Sequence, residues 1–244
     1  IHLDDLSVGG LKASKFAFGY TKNRDFSGNQ KLGGILGMSL PGHVDYVPGF
    51  KNHGWGGFVQ TLKSQGVIDE AMYQMTLKGD GGKLSIGEVD DSQYEGDLET
   101  LTNTGKAYGH CGFKGTLNGE KHNFLLDSGT TGIAGSYDSV KKFLQGMSGV
   151  ELVEEDKRGS VTGKVDCDSM PSFKISVDGK FDVKLSDDVM KKYDLGNGKC
   201  LLPIYGYTNM PNSYSYNWIV GGAFMREVSV VCKFDSNEMQ IARQ

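Results

Sequence analysis

Between Phe173 and Leu185 the chain alternates apolar and polar residues on both sides of one Asp-Gly pair: Phe173-Lys174-Ile175-Ser176-Val177, then Asp178-Gly179, then Phe181-Asp182-Val183-Lys184-Leu185. A period of two places Phe173, Ile175 and Val177 on one face of a strand, and Asp-Gly supplies the left-handed backbone of a tight hairpin turn. The pattern therefore demands antiparallel sheet. The same alternation recurs in Lys15-Phe16-Ala17-Phe18-Gly19-Tyr20 and in Lys83-Leu84-Ser85-Ile86-Gly87. Helical spacing is confined to Gly57 to Gln65, which stops at Gly66, and Ser136 to Met147, which opens with Ser136 and Asp138 near the cap. The 36 glycines among 244 residues follow no three-residue period, so they mark turns between short strands. The fold class is mostly β with a few short helices, and 38% hydrophobic residues can fill one large domain or two modest ones.

Charge and cysteine usage exclude several roles. The net charge is -4 and no basic run exceeds a pair such as Lys191-Lys192, which disfavours a nucleic-acid partner. No stretch approaches the roughly 18 consecutive apolar residues of a membrane helix. The start at Ile1-His2-Leu3-Asp4-Asp5, without Met and inside a strand-like run, suggests a processed product or a fragment. Cys111, Cys167, Cys200 and Cys232 are widely spaced with no Cys-x-x-Cys, and His110 beside Cys111 is the only His/Cys neighbour pair. No metal and no cofactor is expected; disulfides, or buried thiols, account for the cysteines.

One carboxylate stands out from this background. In Phe124-Leu125-Leu126-Asp127-Ser128-Gly129-Thr130-Thr131-Gly132 an apolar strand runs straight into an aspartate. Placing a charge at the end of a buried strand is costly unless donors satisfy its oxygens. Ser128 and Thr130 offer hydroxyls, and Gly129 and Gly132 allow close approach of backbone amides. A tight turn with the aspartate bonded to its own backbone is the plainer alternative. Gly34-Ile35-Leu36-Gly37-Met38 and Trp218-Ile219-Val220-Gly221-Gly222 are both apolar elements closed by glycine, where one backbone can pass close under another.

The order of these elements resembles the pepsin-like aspartic proteases. Gly34 to Met38, Gln65-Gly66-Val67-Ile68, Lys83 to Gly87 with Tyr94-Glu95-Gly96-Asp97-Leu98, Phe124 to Thr131, Trp218 to Met225 and Val230 to Ala242 are similar to landmarks of that family, across essentially the whole chain. The resemblance implies a bilobal acid-protease fold with the N-terminal lobe incomplete: 1-98 as the remainder of the N-terminal lobe, 99-225 as the C-terminal lobe with the catalytic triplet, and 226-244 as closing strands of the central and C-terminal sheets. It implies an aspartic endopeptidase that hydrolyses extended peptides with a water activated by two aspartates. Two carboxylates sharing a proton divide into an acid and a base, the pattern for which these proteases are the standard illustration. Only one Asp-Ser-Gly or Asp-Thr-Gly triplet is present, so the chain resembles the heavy chain left by zymogen processing.

Site roles follow from the resemblance residue by residue. Asp127 is implied as the catalytic carboxylate, Thr130 as the group that orients it, and Ser128 as a tie between the two triplet loops. Gly129 and Thr131 are implied to bond the substrate backbone, with Leu32 and Ile35 lining an apolar pocket on one side and Met210 and Ile219 on the other; core packing is the alternative for these four. The implied partners are an N-terminal light chain or segment with the second aspartate and a flap, a peptide or protein substrate, and pepstatin-like inhibitors, in a secreted or acidic setting. Gly222 stands where many members carry Asp, and members lacking it work in less acidic conditions. Cys167 and Cys200 match a usual disulfide of the C-terminal lobe, and closing that loop of about 33 residues contributes roughly 3 to 4 kcal/mol. Cys111 and Cys232 match no usual pair and bond either to each other or to the missing segment. The alternative function is a non-catalytic peptide-binding protein or an inactive fragment on the same fold.

Overall fold

A computed structural model of the chain describes residues 1–20, 22, 33–39, 56–79, 81–105, 110–155, 159–210 and 216–244. The first hairpin pairs β1 (His2–Val8) with β2 (Leu11–Phe18). It turns on Gly9 and Gly10 at φ 58° and 85°, a left-handed backbone that glycine adopts without a Cβ clash. Alternation extends to Tyr20 in the sequence, whereas the strand ends at Phe18, which pairs with His2. Helix α1 (Phe58–Ser64) buries Phe58, Val59 and Leu62 and sets Phe58 edge-on against Phe16 at 5.9 Å. Gly66, at φ 69°, lets the chain leave the helix.

Three strands follow: β3 (Met72–Lys78), β4 (Gly81–Ile86) and β5 (Glu95–Thr102). Strands β6 (Gly112–Leu117) and β7 (Glu120–Leu126) form a hairpin on Asn118 and Gly119, at φ 49° and 83°. Strand β8 (Ile133–Ser136) runs directly into α2 (Tyr137–Gln145), whose first turn is capped where the Ser139 amide donates to Ser136 Oγ at 3.4 Å. Next come β9 (Glu151–Glu155), β10 (Ser160–Asp166), β11 (Lys174–Val177), β12 (Phe181–Lys184) and the short α3 (Asp187–Met190). The chain ends with β13 (Lys199–Tyr207), β14 (Trp218–Val220), α4 (Gly222–Met225), β15 (Val228–Lys233) and β16 (Glu238–Arg243).

Among the described residues these strands make the β1–β2 ribbon and two larger sheets, so the mostly β class read from the sequence holds. One sheet has nine strands in the order β12-β11-β6-β7-β14-β8-β13-β10-β9; the other has five, in the order β4-β3-β15-β16-β5. The β11–β12 hairpin forms with Ile175 opposite Val183, and the Lys180 amide closes the turn on the Val177 carbonyl at 2.8 Å. The final strand pair spans both sides of Val230 and Ala242, with Val230 opposite Ile241.

Aromatic rings fill the space behind the nine-stranded sheet. Phe113 stacks on Phe124 at 5.1 Å and on Phe224 at 5.5 Å, and all three are fully buried. Both disulfides are formed. Cys167 bonds to Cys200, and Cys111 bonds to Cys232 across 121 residues, which resolves the two alternatives for that pair in favour of each other. Cys232 lies on β15 and Cys111 lies one residue before β6, so this bond joins the five-stranded sheet to the nine-stranded one.

Candidate active site

Strand β14 lies between β7 and β8, parallel to the first and antiparallel to the second. Trp218, Ile219 and Val220 pair with Phe124, Leu125 and Leu126, so β7 and β14 run in the same direction and end side by side. Asp127 follows one strand and Gly221 the other. The Asp127 amide donates to the Val220 carbonyl at 3.1 Å, which fixes the aspartate at the common end of the two strands.

The following residues fold back on that carboxylate. The Thr130 amide donates to the Asp127 carbonyl at 3.0 Å and closes a turn. The Gly129 amide donates to Oδ1 at 2.9 Å, and the Thr130 hydroxyl donates to Oδ2 at 2.7 Å. Each carboxylate oxygen thus has its own donor, with the short distances of charge-assisted bonds. The local turn of the plainer reading is thus present, and it is what holds the carboxylate.

The second strand completes the cradle through its glycines. Gly222 and Ala223 donate to the carbonyls of Thr130 and Thr131 at 2.8 and 2.9 Å, and Gly221 donates to Gly132 at 2.9 Å. A Cβ on Gly221 would stand 1.8 Å from the Thr130 carbonyl oxygen, and one on Gly132 would stand 2.4 Å from that of Pro203. Only glycine allows these approaches. From the other sheet, half-buried Tyr73 faces the same region. Burial, and then the negative charge of Asp127, push its hydroxyl up to about 12.

The residues singled out in the sequence are placed as follows. Asp127 and Thr130 are half-buried at the loop's base, while Ser128, Gly129 and Thr131 form its exposed rim. Ile219 is half-buried on β14, between the inward Trp218 and Val220; Met210 is half-buried just past β13, and its amide donates to the Tyr207 carbonyl at 3.4 Å. Ile35 is 75% exposed, and Leu32 lies outside the described residues. Tyr73, Lys78 and Arg226 gave no sign of site membership in the sequence. Lys78 and Arg226 line a cavity of about 190 Å³ beside the loop, together with Ser128, Thr130, Thr131 and Gly222. The one His/Cys/Asp/Glu cluster among the described residues is Cys167, Asp194 and Cys200, whose sulfurs are already bonded to each other.

Chemically, the cradle presents a carboxylate held rigidly at the mouth of a loop open to solvent. Such a group can accept a proton from water. A single carboxylate cannot at the same moment supply a proton elsewhere.

Comparison with known proteins fits this geometry. The family model for eukaryotic aspartyl proteases matches residues 1–244. A Malassezia globosa protein named "Probable inactive secreted aspartyl protease" is 98% identical over 244 residues, which cover 100% of this chain and 63% of that protein. "Secreted aspartyl protease 1" of the same species is 31% identical over 99% of this chain and 58% of its own length. Human "Cathepsin D" is 26% identical over 97% of this chain and 58% of its own length. The chain therefore spans about three-fifths of the length of each of these three relatives, at 58 to 63%. A match that runs from the first residue to the last, over an aspartate cradle of this form, shows that the chain belongs to the eukaryotic aspartyl protease family.

Proposed function

We propose that this chain supplies one half of an aspartic-protease cleft, with Asp127 as one carboxylate of a pair and the second on an N-terminal light chain or segment that also carries the flap. The observation that carries the proposal is the carboxylate bonded once on each oxygen, by Gly129 and by Thr130. A group so fixed is oriented before substrate arrives, which is what proton transfer to and from a water requires. In this reading Asp127 and its counterpart share a proton; the ionised member takes a proton from water, and the protonated member gives one to the peptide carbonyl oxygen as water attacks. Exposed Gly129 and Thr131 bond an extended peptide, and Ser128 ties the two triplet loops. Peptides, protein substrates and pepstatin-like inhibitors are the partners, in a secreted or acidic setting; nucleic acid and membranes are not.

A second reading has its own support. The relative that is 98% identical carries the name "Probable inactive secreted aspartyl protease". On that reading the cleft grips extended peptides without cutting them. Both readings give this chain the same role and divide at the second carboxylate. The test, on the protein in its longest expressed form with any N-terminal segment present, is cleavage of a quenched peptide with hydrophobic residues at its centre, scanned from about pH 2 to 7 to cover the range of about 1.5 to 4.7 in which a carboxylate pair holds one shared proton, beside immobilised-pepstatin binding. Hydrolysis lost by about 10²-fold or more in Asp127→Asn supports the enzyme. Pepstatin binding without hydrolysis in the parent protein supports the gripping cleft, and neither signal removes both.

A further inference from the structure

The cavity beside the Asp127 loop is built from separate parts of the chain: Lys78 at the end of β3, Arg226 just beyond α4, and the hydroxyl-bearing Ser128 and Thr131 of the loop. Lys78 is exposed and Arg226 half-buried at this solvent-open cavity, so the two form a positive rim that an anion between them would relieve. Elsewhere the lysines reach carboxylates readily: Lys12 meets Asp5 at 2.7 Å, Lys63 meets Asp235 at 2.5 Å and Lys199 meets Asp166 at 2.6 Å. Among the described residues Lys78 and Arg226 take part in no ion pair. Arg226 is also half-buried, where a guanidinium without a counter-charge is uncommon. The Thr130 hydroxyl is committed to Asp127, but Ser128 and Thr131 add further hydroxyls to the lining.

We propose that this cavity is a carboxylate-binding site, and that its occupant is an Asp or Glu side chain on a chain segment outside these 244 residues. The proposal rests on the half-cleft reading above. Its chemistry is a fork from the Arg226 guanidinium, a point charge from Lys78 and hydroxyl donors from the loop, a set that favours a planar carboxylate. Its size agrees: a cavity of about 190 Å³ has room for several waters, and so for a carboxylate with its methylenes. The source follows from length, since the three relatives named above are longer and this chain covers only 58 to 63% of them. An acidic side chain seated here would bring its segment against the Asp127 loop, where a second carboxylate must be delivered.

Zero-length carbodiimide cross-linking tests this, because it joins a lysine amine to a carboxylate only when the two are in contact. It is done on the protein in its longest expressed form, with any accompanying segments, followed by digestion and mass spectrometry. Lys63 to Asp235 and Lys12 to Asp5 serve as internal controls. The expected result is Lys78 joined to an Asp or Glu outside this chain, with the yield falling about tenfold in Arg226→Gln, recovering in Arg226→Lys, and the controls unchanged. Controls that form without a Lys78 product, a Lys78 product with an acidic residue of this chain, or no effect of Arg226→Gln would overturn the proposal. So would acetylation of Lys78 by added acetate in place of the peptide cross-link, which would assign the site to a free carboxylate. Asp127→Asn leaves the cross-link intact, so a cross-link without hydrolysis removes only the catalytic reading, and hydrolysis without it removes only this one.

Discussion

The nine-stranded sheet contains two parallel strand pairs, β7 with β14 and β8 with β13, whereas every pairing in the five-stranded sheet is antiparallel. Their interiors differ as well. The first sheet is backed by Phe113, Phe124, Trp218 and Phe224, with Thr162 alone among its described strand residues as a buried polar side chain, while the second buries Gln74, Thr76, Ser85 and Ser229. Antiparallel neighbours end on opposite sides, so they scatter the residues that follow them; parallel neighbours end together. That is why Asp127 and Gly221 meet, and why the carboxylate belongs to the sheet with parallel pairs. The five-stranded sheet has no such junction. Its polar heart fixes register instead: Gln74 donates to Ser229 Oγ at 2.9 Å, and the hydroxyls of Thr76 and Ser229 share a hydrogen bond at 2.7 Å.

The comparison can be broken most severely at Gly221. Gly221→Ala forces a Cβ to within 1.8 Å of a backbone oxygen that has nowhere to retreat without opening the cradle. We expect a loss above about 4 kcal/mol in urea unfolding, or failure to fold. A loss under about 1 kcal/mol would show that the two strand ends are not locked together. Phe113→Ala comes next, at about 3 to 5 kcal/mol, because it opens a void between two stacked rings. Ser229→Ala tests the other sheet and should cost about 1 to 3 kcal/mol, since it strands the Gln74 amide and the Thr76 hydroxyl. Adding Thr76→Val should recover part of that loss. No recovery would mean that packing, not hydrogen bonding, sets the register there.

How much of this was legible depends on sequence distance. The β11–β12 hairpin was readable because its alternation and its Asp-Gly turn are local. Asn118-Gly119 carries an equally strong local signal immediately before β7, the strand that leads into Asp127. Thr130 as the partner of Asp127 was legible, being three residues away. The pairing of β7 with β14 joins residues 94 apart, as Phe124 and Trp218 show, and no periodicity reaches across such a gap. The family resemblance could bring those elements together, because it carries order along the chain. It left the Cys111–Cys232 bond open and missed the cavity shared by Lys78 and Arg226, both set by side chains that meet only after the two sheets dock.

The smallest effect sharpens the comparison by its pH dependence. Asp90 holds Gln74 through its backbone, whose amide donates to Gln74 Oε1 at 2.6 Å and whose carbonyl accepts from Nε2 at 3.2 Å. Its side chain pairs with Lys83 and accepts from the Ser92 hydroxyl and amide, and these contacts, Lys83 foremost, hold the carboxyl down at about 2, below its ordinary 3.8. A carboxyl lowered on folding stabilises above the unfolded value and loses that contribution as pH falls through the folded one. The difference in melting temperature between the parent and Asp90→Asn should therefore be constant at neutral pH and vanish between 3.8 and about 2. It should also shrink in high salt, as for any exposed pair. Hydrogen exchange should locate the change in β3 and β15, where Gln74 and Ser229 lie, and leave β7 and β14 untouched. A change that spread into β7 would mean that the Cys111–Cys232 bond couples the sheets strongly enough for the register of one to be felt at the carboxylate of the other.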